Sequence, residues 1–258
     1  MIPANAELIL GRGELYFDRY LPGTMQGEGE MYLGNTPGFT ISRSTDEVKR
    51  LRSYGGKLVA TNSIVTQDKI TAQITTDNIS SENLALWFSA EGIEYQAGGS
   101  STSETFVVKK GRFYQLGMSV TGVGVRFVEA DISFSKAGSS VAASNFVVDR
   151  TEGRFSVDPA STAISDGDTV TVTFRWRASD GPQFTSRAEE IVGALRYRAQ
   201  NAYGPQISYY FPYVTLSPRN EIDLKADAFM SFSFDVDARR KNPATEIVYV
   251  MRHGEASY

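Results

Sequence analysis

"KITAQITTDNISSENLALWFSAEG", residues Lys69 to Gly92, changes its periodicity part-way along. At the start, Ile70, Ala72 and Ile74 alternate with Thr71, Gln73 and Thr75. A two-residue repeat of this kind marks a strand with one face buried and one wet. The second half of the stretch predicts a short helix over about 78–91. Ser80 is the N-cap, with a hydroxyl able to accept a first-turn N–H, and Ile79 and Leu84 take the positions of a hydrophobic staple. Glu82 complements the positive helix end, and Leu84, Trp87 and Phe88 fall at i, i+3 and i+4 on one apolar face. Gly92 stands where a left-handed terminal residue is wanted.

Outward from this stretch the chain reads as strand and turn. Val170, Val172, Phe174 and Trp176 alternate with Thr171, Thr173 and Arg175. Met230, Phe232, Phe234 and Val236 alternate with Ser231, Ser233, Asp235 and Asp237. Gly-, Asp- and Pro-rich turns separate such runs, among them "YGG", "SDGD", "SDGP" and "SPRNE". Many short alternating runs without a strand–helix–strand rhythm predict a mainly β fold: an antiparallel sandwich or barrel with one short flanking helix. Two segments break the rhythm. Ser42 to Ser63 is densely and mixedly charged and predicts a long exposed loop or a protruding hairpin. "EYQAGGSSTS", 94–103, has the composition of a flexible connector. The expectation is a single domain over 1–258, with about 94–181 an elaboration or insertion on its core.

Composition narrows the function classes. The absence of cysteine excludes disulfides, zinc thiolate sites and a cysteine nucleophile. A formal charge of −4 argues against a strongly basic nucleic-acid binder. No run approaches the ~20 apolar residues that span a bilayer, and the start carries no basic-then-apolar leader, so a soluble chain made in a cytoplasm is expected. His253, the single histidine, sits near the end and reads as a solvated tail residue. Asp166 and Asp168 in "SDGDTV" form half of a calcium loop without the remaining ligands, which reads as a turn before a strand. No cofactor or metal is expected, and no enzymatic activity. One aromatic run, Tyr209, Tyr210, Phe211 and Tyr213, is the place where a carbohydrate-binding module would present a platform. Alternation instead turns Tyr209, Phe211 and Tyr213 to one side, as a core would.

Three longer stretches carry a likeness: "GEMYLGNTPGFTIS", "SYGGKLVATNSIVTQDKITAQITTDNISSENLALWF" and "GPQISYYFPYVTLSPRNEIDLKADAFMSFSFDVDARR". Their order resembles that of the tail tube proteins, or major tail proteins, of long-tailed bacteriophages. The resemblance spans the two ends of the chain well and the middle, about Glu94 to Gly181, poorly. It implies a structural virion protein with six copies closing into a ring. Stacked rings then form the channel through which DNA is ejected. Implied partners are further copies of the chain and the tail-tip, tape-measure and tail-terminator proteins. DNA would pass without specific binding, and no membrane is involved.

On that reading the strands of neighbouring subunits join into an inner barrel. Thr71, Gln73, Thr75, Ser231, Ser233, Asp235 and Asp237 become candidate lumen residues, and Leu84, Trp87 and Phe88 the packing face of the helix. Arg43, Asp46, Glu47, Lys49, Arg50 and Arg52 lie where the family has a loop bridging stacked rings. The alternatives are the tube of a contractile injection or secretion system, with the same fold, and a monomeric sandwich module for carbohydrate binding or adhesion.

Overall fold

The computed structural model describes residues 8–54, 56–90, 93–187, 190–225 and 227–253, with side-chain surroundings undescribed for 54 and 57–61. The chain folds into two compact units, one built from Met1–Gly92 with Thr185–Tyr258 and the other from Ile93–Phe184. The fold is mainly β and antiparallel, with one helix of seven residues. Among the described residues no helix is long and apolar enough to cross a membrane.

The first unit opens with β1 (Gly13–Tyr20), β2 (Gly27–Tyr32), β3 (Gly38–Tyr54), β4 (Lys57–Thr76) and the helix α1 (Ser81–Trp87). The inserted unit contributes β5 (Glu94–Tyr95), β6 (Gly99–Val107), β7 (Phe113–Gln115), the single turn α2 (Met118–Thr121), β8 (Ser133–Lys136), β9 (Ser139–Val141), β10 (Phe146–Asp149), β11 (Arg154–Val157), β12 (Thr169–Trp176) and β13 (Pro182–Gln183). The chain then returns to the first unit with β14 (Ile191–Ala199), β15 (Ile207–Arg219), β16 (Phe232–Ala238) and β17 (Tyr249–Arg252).

One sheet makes the body of the first unit, in the order β2-β1-β14-β15-β16-β4-β3, with β17 beside the first half of β15. It curls until Phe39 of β3 stacks on Tyr197 of β14, ring centroids 5.5 Å apart. The enclosed face carries Leu15 and Phe17, Ile70 and Ile74, Leu195, Phe211, Val214, Phe232, Phe234 and Val236, all buried. Pro212 interrupts β15 where the register against β14 shifts between Gly193 and Leu195. A proline cannot donate to the ladder, so an irregular step is where a strand tolerates one. Tyr213 is displaced by that step and stays half-buried, 6.2 Å from Tyr20. The aromatic run therefore does not bury as one set: Phe211 is core, and Tyr209 and Tyr213 are half-covered.

The helix is shorter than its sequence suggests. Ser80 caps it, its hydroxyl accepting the Asn83 N–H at 3.1 Å. At the other end Ser89, not a glycine, takes the left-handed conformation (φ 54°). Its N–H donates to Leu86 O and that of Ala90 to Ala85 O, which closes the helix after two turns in a Schellman motif. Gly92 lies outside the described residues. The buried stripe is Asn83, Ala85, Leu86 and Ala90. Leu84 and Trp87 pack half-buried on the core, while Phe88 is 39% exposed, edge-on to Trp87. Asn83 explains the rotation of the face: its amide donates to Leu33 O and Asn78 O, tying the helix to β2's exit and to its own approach.

Two sheets make the inserted unit, β6-β12-β8-β9 and β10-β11-β7. Phe134, Phe146 and Phe155 meet between them, the first two stacked at 3.8 Å. "EYQAGGSSTS" is strand and tight packing, contrary to its linker-like composition. A side chain at Gly99 would collide with the Trp176 indole, at 1.9 Å from an added Cβ. The glycine makes room for that ring, whose N–H donates to Ala97 O. A two-residue ladder, Pro182↔Tyr95 and Gln183↔Glu94, draws the entry and exit of the unit together.

Asp168 sits in the turn before β12, where Lys136 and the Ser165 N–H bond to its carboxylate. The Lys136 bond foremost holds this carboxyl below the usual range. Asp149 is lowered in the same way, first by the Glu152 N–H and then by Arg154. Depressed carboxyl pKa values stabilise the fold above the unfolded value of about 3.9, and that stabilisation is lost as pH falls through the folded pKa. Calorimetry from about pH 5 to about pH 2.5 is therefore expected to show a falling melting temperature that Asp168→Asn flattens. An unchanged acid slope in the variant would remove Asp168 from the account.

Candidate assembly surfaces

β16 runs beside β4 only from Phe232↔Thr76 to Ala238↔Ile70. Beyond that point β3 and β4 continue with no further strand beside them among the described residues, from Ser44↔Lys69 out to Tyr54↔Lys57. At ~3.3 Å per residue this bare ribbon reaches roughly 35 Å from the body. Every described side chain on it, 44–53 and 62–69, is exposed. Ser42 to Ser63 is thus a hairpin arm, not an unpaired loop, and the charged residues of interest lie along it: Arg43 at its base, then Asp46, Glu47, Lys49, Arg50 and Arg52. Arg43 grips Asp68 through two hydrogen bonds, 2.9 and 2.8 Å. That contact holds the Asp68 carboxyl below the usual range and raises Arg43. Register shifts after Asp46 and Arg50 add twist, and Thr66 fills the first by donating to Asp46 O.

The arm is not uniformly polar. Val48 (62% exposed) faces Ile64 (68%), and Leu51 and Val65 are also more than half exposed. A two-stranded ribbon is at best marginally stable in water when nothing covers it. At the opposite end of the same strands lies the β15–β16 connection, next to the Arg219↔Ser233 and Phe232↔Thr76 pairs. It carries Leu224 and Phe229, 76% and 100% exposed.

The outward face of β4 and β16 is a polar strip. Thr71 lies opposite Asp237, Gln73 opposite Asp235, and Thr75 opposite Ser233, with the last pair's hydroxyls 2.9 Å apart. Thr40 and Ser42 extend it on β3, and Ser217 and Arg219 on β15. Ser231 is exposed one residue before β16 begins. Both carboxylates are paired, Asp235 with Arg219 and Asp237 with Arg239, each at 2.8 Å. The strip is therefore less acidic than its aspartates imply. Sequence reading missed the arginines because it is register, not spacing along the chain, that brings Arg219 to Asp235.

The family described as "Protein of unknown function UCP028589" matches residues 8–242. The chain belongs to that family. Its match crosses both compact units, and no curated protein matches the chain.

This family member presents a further surface that periodicity did not single out, on the outward side of β2, β1, β14, β15 and β17. Tyr16 and Tyr32 lie 5.4 Å apart. The Arg196 guanidinium covers the Tyr210 ring at 4.6 Å and bonds Glu30 at 2.6 Å. Tyr210 in turn approaches Tyr249 at 6.5 Å. Tyrosine and arginine are the residue types on which buried interfaces concentrate their energy. β17 lies beyond the span that matches the family. His253, expected as free tail, is held there: its N–H donates to Gln206 O, and Nε2 lies 2.8 Å from the Ser208 hydroxyl. Ser208 is buried, and its oxygen already accepts the Ala199 N–H. Among the described residues no carboxylate hydrogen-bonds His253 to orient it, so the pair does the work of an anchor for β17.

Proposed function

We propose that this protein is the structural subunit of a bacteriophage tail tube, closing into hexameric rings that stack into the channel for DNA ejection. The observation that supports the reading is the bare arm of β3 and β4. It is a long ribbon that pairs with no further strand among the described residues, and it bears exposed apolar side chains that would gain free energy against another molecule. The exposed Leu224 and Phe229 at the opposite end suit a head-to-tail contact, which is the kind that propagates into filaments. The outward strip of Thr71, Gln73, Thr75, Ser233, Asp235 and Asp237 suits a lumen wall, since its carboxylates are matched by Arg219 and Arg239 and it offers DNA phosphates no unbalanced positive field. In this reading the partners are other copies of the chain together with tail-tip, tape-measure and tail-terminator proteins, and the protein is located in the virion.

Negative-stain microscopy with size-exclusion chromatography tests the reading. Rings or tubes with an open central channel are the expected result. A subunit that stays monomeric even with a tail-tip initiator complex would overturn it.

A further inference from the structure

Phe127 has a backbone conformation that its side chain does not favour. Four non-glycine residues have positive φ among the described residues, and three have local reasons. Ser89 ends the helix, Ala137 stands in the β8–β9 turn, and Asn220 is of a type that tolerates this region. Phe127, at φ 55°, is the bulky one. The loop before it uses glycine at each such position: Gly117, Gly122 and Gly124 have φ 78°, 76° and 87°. The backbone of Phe127 is committed on both sides, its N–H donating to Thr151 O and its carbonyl accepting the Arg177 N–H. A glycine would make both bonds at less strain. The phenyl ring is nevertheless kept, and it is 40% exposed.

Phe127 lines a cleft of about 390 Å³ wholly within the inserted unit. Its polar walls are Arg150 and Arg177 on one side of the charge balance and Glu129 and Asp180 on the other. Gln96, itself buried, fixes the framework behind it. Its amide N–H groups donate to Arg126 O and Arg177 O, and its oxygen accepts the Arg126 N–H. Strain of this kind persists where surrounding structure over-determines it, and it clusters at binding sites. The volume lies within the range of small-ligand pockets, which pair apolar or aromatic surface with a few placed polar groups.

We propose that this cleft binds a neutral saccharide unit. A pyranose offers an apolar C–H face for the Phe127 ring. Its hydroxyls donate and accept together, which matches a wall of internally balanced charge, where Glu129 pairs with Arg177 and Arg175 at 3.5 Å each and Arg150 and Asp180 stand beside them. A phosphate or other simple anion would meet Glu129 and Asp180, and a cation would meet both arginines. The site is independent of the tube reading and separate from the Tyr209–Tyr213 run.

Saturation-transfer NMR on the full chain, with glucose, galactose, N-acetylglucosamine and rhamnose as probes and inorganic phosphate as control, tests it. Transfer to at least one of the sugars and none to phosphate is expected. Phe127→Gly should weaken that binding at least tenfold while the melting temperature holds or rises, because the strain is gone. No transfer to any of the four sugars would overturn the assignment. So would undiminished binding in Phe127→Gly, or a melting temperature that falls as it does for a packing residue.

Discussion

On the tube reading proposed above, replacing residues 47–66 with an Asn-Gly turn is expected to yield a folded subunit that does not form tubes. The cut leaves the Asp46↔Gln67 pair as the last rung, and a two-residue turn of that type closes an antiparallel pair without splaying it. Nothing in the core is touched, since every described side chain removed is exposed. What is lost is the surface of Val48, Leu51, Ile64 and Val65. At ~1.5–3 kcal/mol for each side chain fully buried, docking the arm is worth several kcal/mol per copy before association costs. Repetition around a ring multiplies that loss through avidity. Val48→Asp with Ile64→Asp, which keeps the arm but charges its apolar face, should give the same outcome. Microscopy and sedimentation report assembly, and circular dichroism reports the fold. Tubes that form as before in either variant would remove the arm from the assembly.

The second large effect separates the two cores. Phe155 is fully buried and touches the rings of Phe106, Tyr114, Phe134 and Phe146 at 5.2–6.1 Å. Phe234 holds the equivalent place in the curled sheet. Truncating either to Ala costs about 3–5 kcal/mol, the transfer energy plus an unfilled cavity. For a unit near 100 residues that lowers the melting temperature by on the order of 20 °C. Phe155→Ala is expected to lower the transition of the inserted unit, and Phe234→Ala that of the sheet carrying the arm. A scan in which either variant shifts all of the heat absorption together would show that the cores melt as one.

Strands whose alternation is written into them were legible from the sequence. β12 and β16 bury Val170, Val172, Phe174 and Trp176, and Phe232, Phe234 and Val236, as their two-residue repeat predicts. The Ser80 cap was readable for a similar local reason. For the arm the sequence left a loop and a protruding hairpin open, because alternation arises from burying one face and no described side chain of the ribbon is buried. The glycines at the start of β6 suggested flexibility, whereas Gly99 makes room for the Trp176 indole. Of the candidate residues, the strip's polar side chains were readable, and Arg239 stands two residues from Asp237, but the pairing of Arg219 with Asp235 required the register. The cleft at Phe127 left no trace in composition, since a left-handed phenylalanine looks like any other in one dimension.

The small ladder joining Glu94–Tyr95 to Pro182–Gln183 has a consequence for how such a chain can change over time. Because the 93–184 unit begins and ends side by side, it behaves as a cassette, grafted where a short turn would otherwise serve. Residues inside it can be enlarged, replaced or redirected toward new ligands without altering the ladder of the host sheet. On the two proposals made above, the constraints of building an assembly and the freedom to vary a binding surface are divided between two parts of one polypeptide.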